Sequence, residues 1–379
     1  MKNQKKNILL VGDMPGWAFD NIIDFVRTKL KGSYNFYYDF TTYNPRNNPL
    51  AASDSKNLII DKNLINQYKR NYYVYRIPFL KKIAYKFISN LNKKGYFTRD
   101  AEGKKRRIRK DNKYDCAVFL DFYMNVDGDF DSLVTEKIIK GIYTDGFPPK
   151  GIILEEISLE LFSNNFLSDS YSLIAGSNSI CKIYKNVFPG DIYVANLAYN
   201  EHIFKPKDSL KNFKEFIYPL VIGWTGNPNR PFKGYFEIIE PVINELKKEG
   251  YNIELKTQFS GTLNSLAKFW QNTHLAVIAS EADAGPSMFM EASLCGIPTI
   301  STIIGMPSEI IKDRENGFFI NRDKEELKKT IIEIYNNPSI LSKISMTIRK
   351  DYILKLGEVK QKENWLNLFH NIFNEGQRQ

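Results

Sequence analysis

Only three cysteines and three histidines occur in 379 residues. Cys116, Cys181 and Cys295 stand far apart among apolar or helical neighbours, which argues against a disulfide framework and predicts reduced core thiols. His202, His274 and His370 are scattered and read as structural residues. Long apolar runs are missing too. None approaches the roughly eighteen residues that cross a bilayer, so no spanning helix is expected. The opening lysines and the apolar run after them resemble a signal peptide, but the run ends at Asp13, too short for a secretory core. It reads better as a buried first strand, and a cytoplasmic protein is the simplest expectation. No repeat of solenoid length is visible.

What is present describes a globular α/β chain. Hydrophobic residues make up 43% and aromatics 14%, too rich for bulk disorder. The length suits two domains of middling size. Residues 7–12 form a short apolar run closed by the turn Gly12-Asp-Met-Pro-Gly16, and a helical pattern follows from Trp17 to about Leu30. Strand candidates continue at 34–40, 117–122, 140–144, 151–154, 172–175 and 191–195. A second alternation begins at 218–224, with a helix at 234–248, a strand at 252–256, a helix at 263–270, a strand at 275–279, a helix at 287–294 and a strand at 299–301. Strands separated by helices predict parallel sheets covered on both faces. The expected architecture is two Rossmann-like domains facing each other across a cleft. The first spans 1–205, with a basic insert at about 45–113, and the second spans 206–357, with the hinge near 204–213. A crossover helix at 358–379 would pack back on the first domain, placing Trp365, Leu368 and Ile372 on one face.

Charge is concentrated in that insert. Between Lys56 and Lys113 there are 12 lysines and 6 arginines against 4 carboxylates, so the whole positive excess of a chain with net charge +10 lies there. Tyr72, Tyr73, Phe79 and Phe87 are interleaved with the cations. Such a segment fits a solvated surface, a grip on an anionic acceptor, or an anionic membrane, since each surface cation contributes about 1 kcal/mol near headgroups. Aromatics suit the headgroup boundary, which favours the membrane over 56–113 and a peripheral place at its inner face.

The stretch from Ala279 to Pro298 carries the most chemistry. A strand ends, a turn carries Asp283, and Gly285-Pro286 opens a helix with proline at its favoured first position. At the carboxyl end of a parallel sheet, a helix start binds anions through unpaired amides and the helix dipole. Ser287 and Met288 would supply those amides. Glu291 follows Ser287 by one turn and shares its face. A diphosphate would meet the helix end, and the two carboxylates would accept hydrogen bonds from sugar hydroxyls. An ordinary surface helix with acidic residues remains the competing reading of the isolated pair.

Two acidic residues separated by seven, an alanine-bearing helix and Gly296-Ile-Pro298 resemble the signature of the retaining GT-B glycosyltransferases of group 1. Asp283 stands where that family usually has Glu. The motifs Gly305-Met-Pro-Ser-Glu309 and Glu315-Asn-Gly317-Phe continue the same pattern. So do Gly223-Trp-Thr225-Gly226 at the start of the second domain and Lys233-Gly234 at a helix start. The resemblance implies that Asp283 contacts the donor sugar, Glu291 the ribose, and Lys233 the diphosphate. Gly223, Thr225, Gly226, Gly285, Ser287 and Met288 would line the donor site. Arg230 would substitute for the family's arginine, whose place falls at Trp224 or Thr225. A cation there would stabilise the charge that grows on the leaving phosphate. Gly12, Gly16 and Trp17 match the loop over donor phosphate and acceptor. Thr144 takes the place of a family histidine, and Asp145 is either a donor or acceptor contact or a turn residue.

The Asp127-Gly-Asp129-Phe-Asp131 run invites a metal reading, but Ser132 and Ile138 break the calcium-loop pattern and an Asx-rich turn fits better. The resulting expectation is a metal-independent, retaining hexosyltransferase with no cofactor, its nucleotide sugar being a substrate. Its acceptor would be an anionic or lipid-linked glycan, in surface polysaccharide or glycolipid synthesis. A sugar-nucleotide epimerase of the same fold and a basic nucleic-acid binder are the alternatives. The second leaves the Asp283–Glu291 pair unexplained, so no nucleic acid is expected as a partner.

Overall fold

The computed structural model describes residues 4–13, 18–40, 97–100, 105–107, 114–124, 135, 137–144, 147–149, 157–207, 218–259 and 261–374. Two compact units result, one of residues 1–176, 180–197 and 362–379, the other of 177–179 and 198–361.

The first unit is built on an eight-stranded sheet. Its strands are β1 (Asn7–Gly12), β2 (Asn35–Phe40), β3 (Phe97–Asp100), β4 (Lys105–Arg107), β5 (Cys116–Phe119), β6 (Ile138–Ile142), β7 (Ser172–Ala175) and β8 (Ile192–Val194). They lie in the order β4-β3-β2-β1-β5-β6-β7-β8. The six strands outside the insert run parallel, while β3 and β4 are added antiparallel at the β2 edge. Residues 97–100 and 105–107 are therefore strands inside the basic insert, where no strand is among the candidates. β4 is lysine and arginine throughout and β3 is only four residues long, so neither shows a period-two pattern. The expected strand at 151–154 lies outside the described residues. Ile8, Leu9, Leu10 and Val11 are buried, as a central parallel strand covered on both faces requires.

The last helix, Glu358–Asn374, places Trp365, Leu368, Phe369 and Ile372 in the first unit's core. The Trp365 indole N–H donates to the Asn196 carbonyl at 2.9 Å. Phe369 packs against Tyr34 and Phe36, with ring centroids 5.3 and 6.0 Å apart. Burying side chains of this size contributes about 1.5–3 kcal/mol each, so this face anchors the chain's end to the first sheet.

The second unit has a wholly parallel five-stranded sheet in the order β10-β9-β11-β12-β13. These are β9 (Leu220–Thr225), β10 (Ile253–Gln258), β11 (Leu275–Ile278), β12 (Thr299–Thr302) and β13 (Phe318–Ile320). β11 and β12 are buried throughout. The strand β13 arises from the Gly317-Phe motif, which periodicity alone did not mark as extended.

The helix expected at 234–248 is a composite. A 3₁₀ turn at Pro231–Lys233 leads into a π turn at Tyr235–Ile239, and the α-helix proper runs Glu240–Lys248. Pro241 has no N–H to give to the preceding turn, so an unbroken α ladder is impossible there. The wider turn takes up the difference, the Ile239 N–H reaching the Gly234 carbonyl at 3.1 Å.

Candidate functional site

Polar side chains converge at the carboxyl ends of β9 and β11 in the second unit. β11 ends beside Ala279, and the chain turns through Asp283 into the helix Ser287–Leu294. That helix is enclosed on every side, with Met288 through Leu294 all buried, so its direction is fixed by the core around it. Pro286 sits at the N-cap, one residue before the first position expected for it. The Phe289 and Met290 amides both turn back to the Pro286 carbonyl, at 2.9 and 3.4 Å. The amides of Ser287 and Met288 are then the two that open the helix, the arrangement that favours an anion.

Asp283 hangs in front of this helix start. One of its oxygens accepts the Gly285 amide at 3.2 Å, and the other is ion-paired to Lys233. Both side chains are largely enclosed, 20% exposed for Lys233 and 16% for Asp283. Lys233 closes the 3₁₀ turn and also lies over the Phe232 ring, 5.5 Å from its centroid. Gly234 follows with φ +70°, and a Cβ there would come within 2.5 Å of the Ala279 carbonyl oxygen. Glycine is required twice over at this position, by the left-handed backbone and by the close approach. The same contact brings Lys233 to the end of β11.

Glu291 lies one turn into the helix and is 3% exposed. Its carboxylate accepts the Trp270 indole N–H at 2.8 Å and is hydrogen-bonded to Tyr199. Burial pushes its carboxyl pKa up to about 7, against the two hydrogen bonds that favour the charged form. Tyr199 is hydrogen-bonded to Ser287 as well, and burial and the neighbouring Glu291 raise its hydroxyl far above the usual phenol. The two carboxylates thus occupy different surroundings. Asp283 faces a cation near the surface, while Glu291 is held in the core by an indole and a phenol.

The other expected residues sort by what they touch. Gly223 lies within β9, where a Cβ would meet Thr273 at 2.6 Å and the Trp270 ring at 3.0 Å, so its bareness serves packing. Thr225 ends that strand, and the Gly226 amide donates to the Gln258 carbonyl at 3.2 Å. Trp224, at the place suggested for a family arginine, is buried and packs against Tyr235 with centroids 4.7 Å apart and the rings tilted by 46°. Arg230 is half-buried and caps the 3₁₀ turn before Lys233. Gly305 packs on the Asp283–Ala284 backbone, and the Met306 amide donates to the Ala284 carbonyl at 2.9 Å.

In the first unit, Gly12 ends β1 and Thr144 follows β6. Gly16, Trp17 and Asp145 lie outside the described residues, as do Asp127, Asp129 and Asp131. His274 stands at the amino end of β11, the end opposite Asp283, and its Nδ1 accepts the Val221 amide at 3.0 Å. Among the described residues no three His, Cys, Asp or Glu side chains gather as a metal ion would need.

One residue of this site went unnoticed in the sequence. Arg322 follows β13, and its Nε donates to the Ala279 carbonyl at 3.1 Å. Its Nη2 donates to the Pro231 carbonyl at 3.3 Å and to Glu237 at 2.6 Å. A single arginine after a short strand carries no sequence signal for contacts so remote in the chain.

Residues 240–351 match the family of glycosyl transferases group 1. No curated protein matches the sequence. Solved structures match across nearly the whole chain at low identity. Sucrose-phosphate synthase from Thermosynechococcus elongatus shares 11% identity, covers 98% of this chain and all of its own, and has a TM-score of 0.65. HepE from Anabaena, solved with UDP-glucose, shares 14% over 96% of this chain and 99% of its own, with a TM-score of 0.61. TarM shares 13% over 97% and 99%, with a TM-score of 0.59. The fold is the GT-B fold of these structures. Within that fold, the likeness in sequence to the group 1 glycosyl transferases lies in the second unit.

Proposed function

We propose that this chain transfers a hexose from a nucleoside-diphosphate sugar to a glycan or lipid-linked acceptor, with retention of anomeric configuration and without a metal. The observation that carries the reading is the meeting of Lys233 and Asp283 at the start of the helix Ser287–Leu294. A cation and two helix-opening amides suit a diphosphate, and an adjoining carboxylate suits sugar hydroxyls. HepE, similar in fold, is solved with UDP-glucose, and TarM from S. aureus with UDP and a GlcNAc-glycerol. These support a nucleotide-sugar donor here.

In the proposed reaction the bond from the anomeric carbon to the diphosphate breaks. The acceptor oxygen bonds to that carbon on the same face, and its proton passes to the departing phosphate oxygen. Lys233 and the Ser287 and Met288 amides stabilise the charge that grows on the diphosphate. Asp283 orients the sugar. Glu291 takes the ribose with the acceptor capacity that Trp270 and Tyr199 leave to it, since a carboxylate accepts about four hydrogen bonds. We assign the acceptor to the first unit, whose strand ends at Gly12 and Thr144 supply polar backbone and a hydroxyl.

The basic segment 56–113 is proposed to hold an anionic membrane surface where a lipid-linked acceptor resides. Among the described residues no helix is long and apolar enough to cross a membrane.

A thermal-shift and hydrolysis screen across UDP-, GDP- and ADP-sugars tests the donor assignment, because a bound donor raises the melting temperature by mass action. NMR of the product anomer tests retention. Silence from every nucleotide sugar, or an inverted product, would overturn the corresponding part.

A further inference from the structure

The turn that carries Lys233 has little of its own to hold it. It is a single 3₁₀ turn, closed by the Gly234 amide on the Pro231 carbonyl at 2.9 Å, and a π turn follows it. Beside the Lys233–Asp283 pair and the approach of Gly234 to Ala279, two hydrogen bonds fasten its backbone carbonyls to neighbouring chain. The Glu281 amide donates to the Phe232 carbonyl at 2.7 Å, from the same loop that bears Asp283. Arg322 supplies the other contact, from the far side of the sheet order.

The guanidinium of Arg322 joins three groups from two segments. Its Nε holds the Ala279 carbonyl, where β11 gives way to the Asp283 loop, and its Nη2 reaches the Pro231 carbonyl, the first of the Lys233 turn. Glu237, on the π turn, accepts from the same Nη2 at 2.6 Å and keeps the fork in its plane. Gly234 brings the two segments close enough for one planar cation to span them. A lysine ammonium is a point charge on a flexible stem and reproduces only part of this.

We propose that Arg322 is a positioning residue for the diphosphate grip, fixing the Lys233 turn against the end of β11 so that Lys233 is held opposite Asp283. The inference rests on the donor reading given above. Arg322 touches neither Lys233 nor Asp283 among its described hydrogen bonds, so its effect is transmitted through backbone. A shift of about 1 Å in a positioned charge changes function by up to about a hundredfold.

The test compares UDP, GDP and ADP with uridine, guanosine and adenosine by calorimetry, on wild type and on Arg322→Ala, Arg322→Lys and Glu237→Gln. Circular dichroism confirms that each is folded. The nucleoside diphosphate that binds wild type best is expected to lose about tenfold or more in affinity in Arg322→Ala. Its nucleoside should bind unchanged. Arg322→Lys should recover part of the loss, and Glu237→Gln should show a smaller loss in the same direction. In a Lys233→Ala background, Arg322→Ala should add nothing, because the cation it positions is gone.

Equal loss of nucleoside and nucleoside diphosphate would mean a general structural role and overturn the inference. So would unchanged diphosphate affinity, or full additivity with Lys233→Ala. Should Arg322→Ala fail to fold, Glu237→Gln, changed at a half-exposed carboxylate, carries the same comparison. If no nucleoside diphosphate binds wild type, the donor reading fails and this inference with it. Binding by wild type with indifference to Arg322 overturns the inference alone.

Discussion

Lys233 and Asp283 are ion-paired across fifty residues of sequence, at the start of the helix Ser287–Leu294. Each is the natural partner of a different piece of a nucleotide sugar, the cation of its diphosphate and the carboxylate of its sugar. A bound donor would therefore exchange this pair for two new contacts. Lys233→Ala is expected to lower affinity for nucleoside diphosphate and nucleotide sugar alike. Asp283→Asn is expected to leave free nucleoside diphosphate binding near wild type while lowering turnover at least tenfold. Calorimetry with the free nucleoside diphosphate beside steady-state kinetics separates the two. Equal loss of free nucleotide and nucleotide-sugar binding in Asp283→Asn would remove the sugar from its assignment.

Gly234 sets the distance on which that pair depends. Alanine there would take a left-handed backbone and drive a Cβ to 2.5 Å from the Ala279 carbonyl oxygen. The left-handed conformation alone costs about 1–2 kcal/mol, so Gly234→Ala should lower the melting temperature by a few degrees. Donor affinity should fall as well, since relief of the clash moves the Lys233 turn. A variant with wild-type melting and wild-type affinity would show that the close approach is not needed.

The parts of this architecture that sequence reveals are those with local cause. Apolar runs bounded by turns mark β1, β9, β11 and β12, because parallel strands are buried on both faces and have nothing polar to interrupt them. Asp283 and Glu291 stand out by their spacing around a glycine-proline helix start, whereas Lys233 enters only through the resemblance to the group 1 glycosyltransferases. What stays hidden depends on contacts remote in the chain. The burial of Glu291 comes from Trp270 and Tyr199, and neither position carries a local mark of that role. Arg322 acts on carbonyls that precede it by 43 and 91 residues. The π turn follows from Pro241, whose place inside a helical pattern is a local signal for a break in the α ladder. The edge strand β4 is concealed by being lysine and arginine throughout, and β3 beside it by its length of four residues.

The basic segment 56–113 yields a separate prediction. Full-length protein should co-sediment with vesicles containing anionic lipid, and binding should fade as salt rises, because exposed charges are screened within about 8–10 Å. Neutralising Lys104–Lys110 should weaken it. Indifference to anionic vesicles at low salt would discard the membrane and leave an anionic glycan acceptor as the segment's partner.

Glu291 should leave a signature in the pH dependence of stability. Its pKa in the folded protein is raised to about 7 from the ordinary 4.5, chiefly by burial. Between those values the folded chain holds a proton that the unfolded chain has released. Stability from this group is therefore complete below about pH 4.5, falls as pH rises through the window, and is lost above about 7. At one pKa unit per 1.36 kcal/mol the range is about 3 kcal/mol. Glu291→Gln keeps an oxygen for the Trp270 indole and removes the titration. Thermal melts at steps from pH 5 to pH 8 should show wild type losing stability relative to Glu291→Gln across that interval. The same variant should bind nucleoside diphosphates about ten- to a hundredfold more weakly above pH 7, where wild type presents a charged acceptor worth about 1.5–3 kcal/mol to ribose. Parallel melting curves would mean that Glu291 titrates outside the window, and unchanged nucleotide affinity would take the ribose from it.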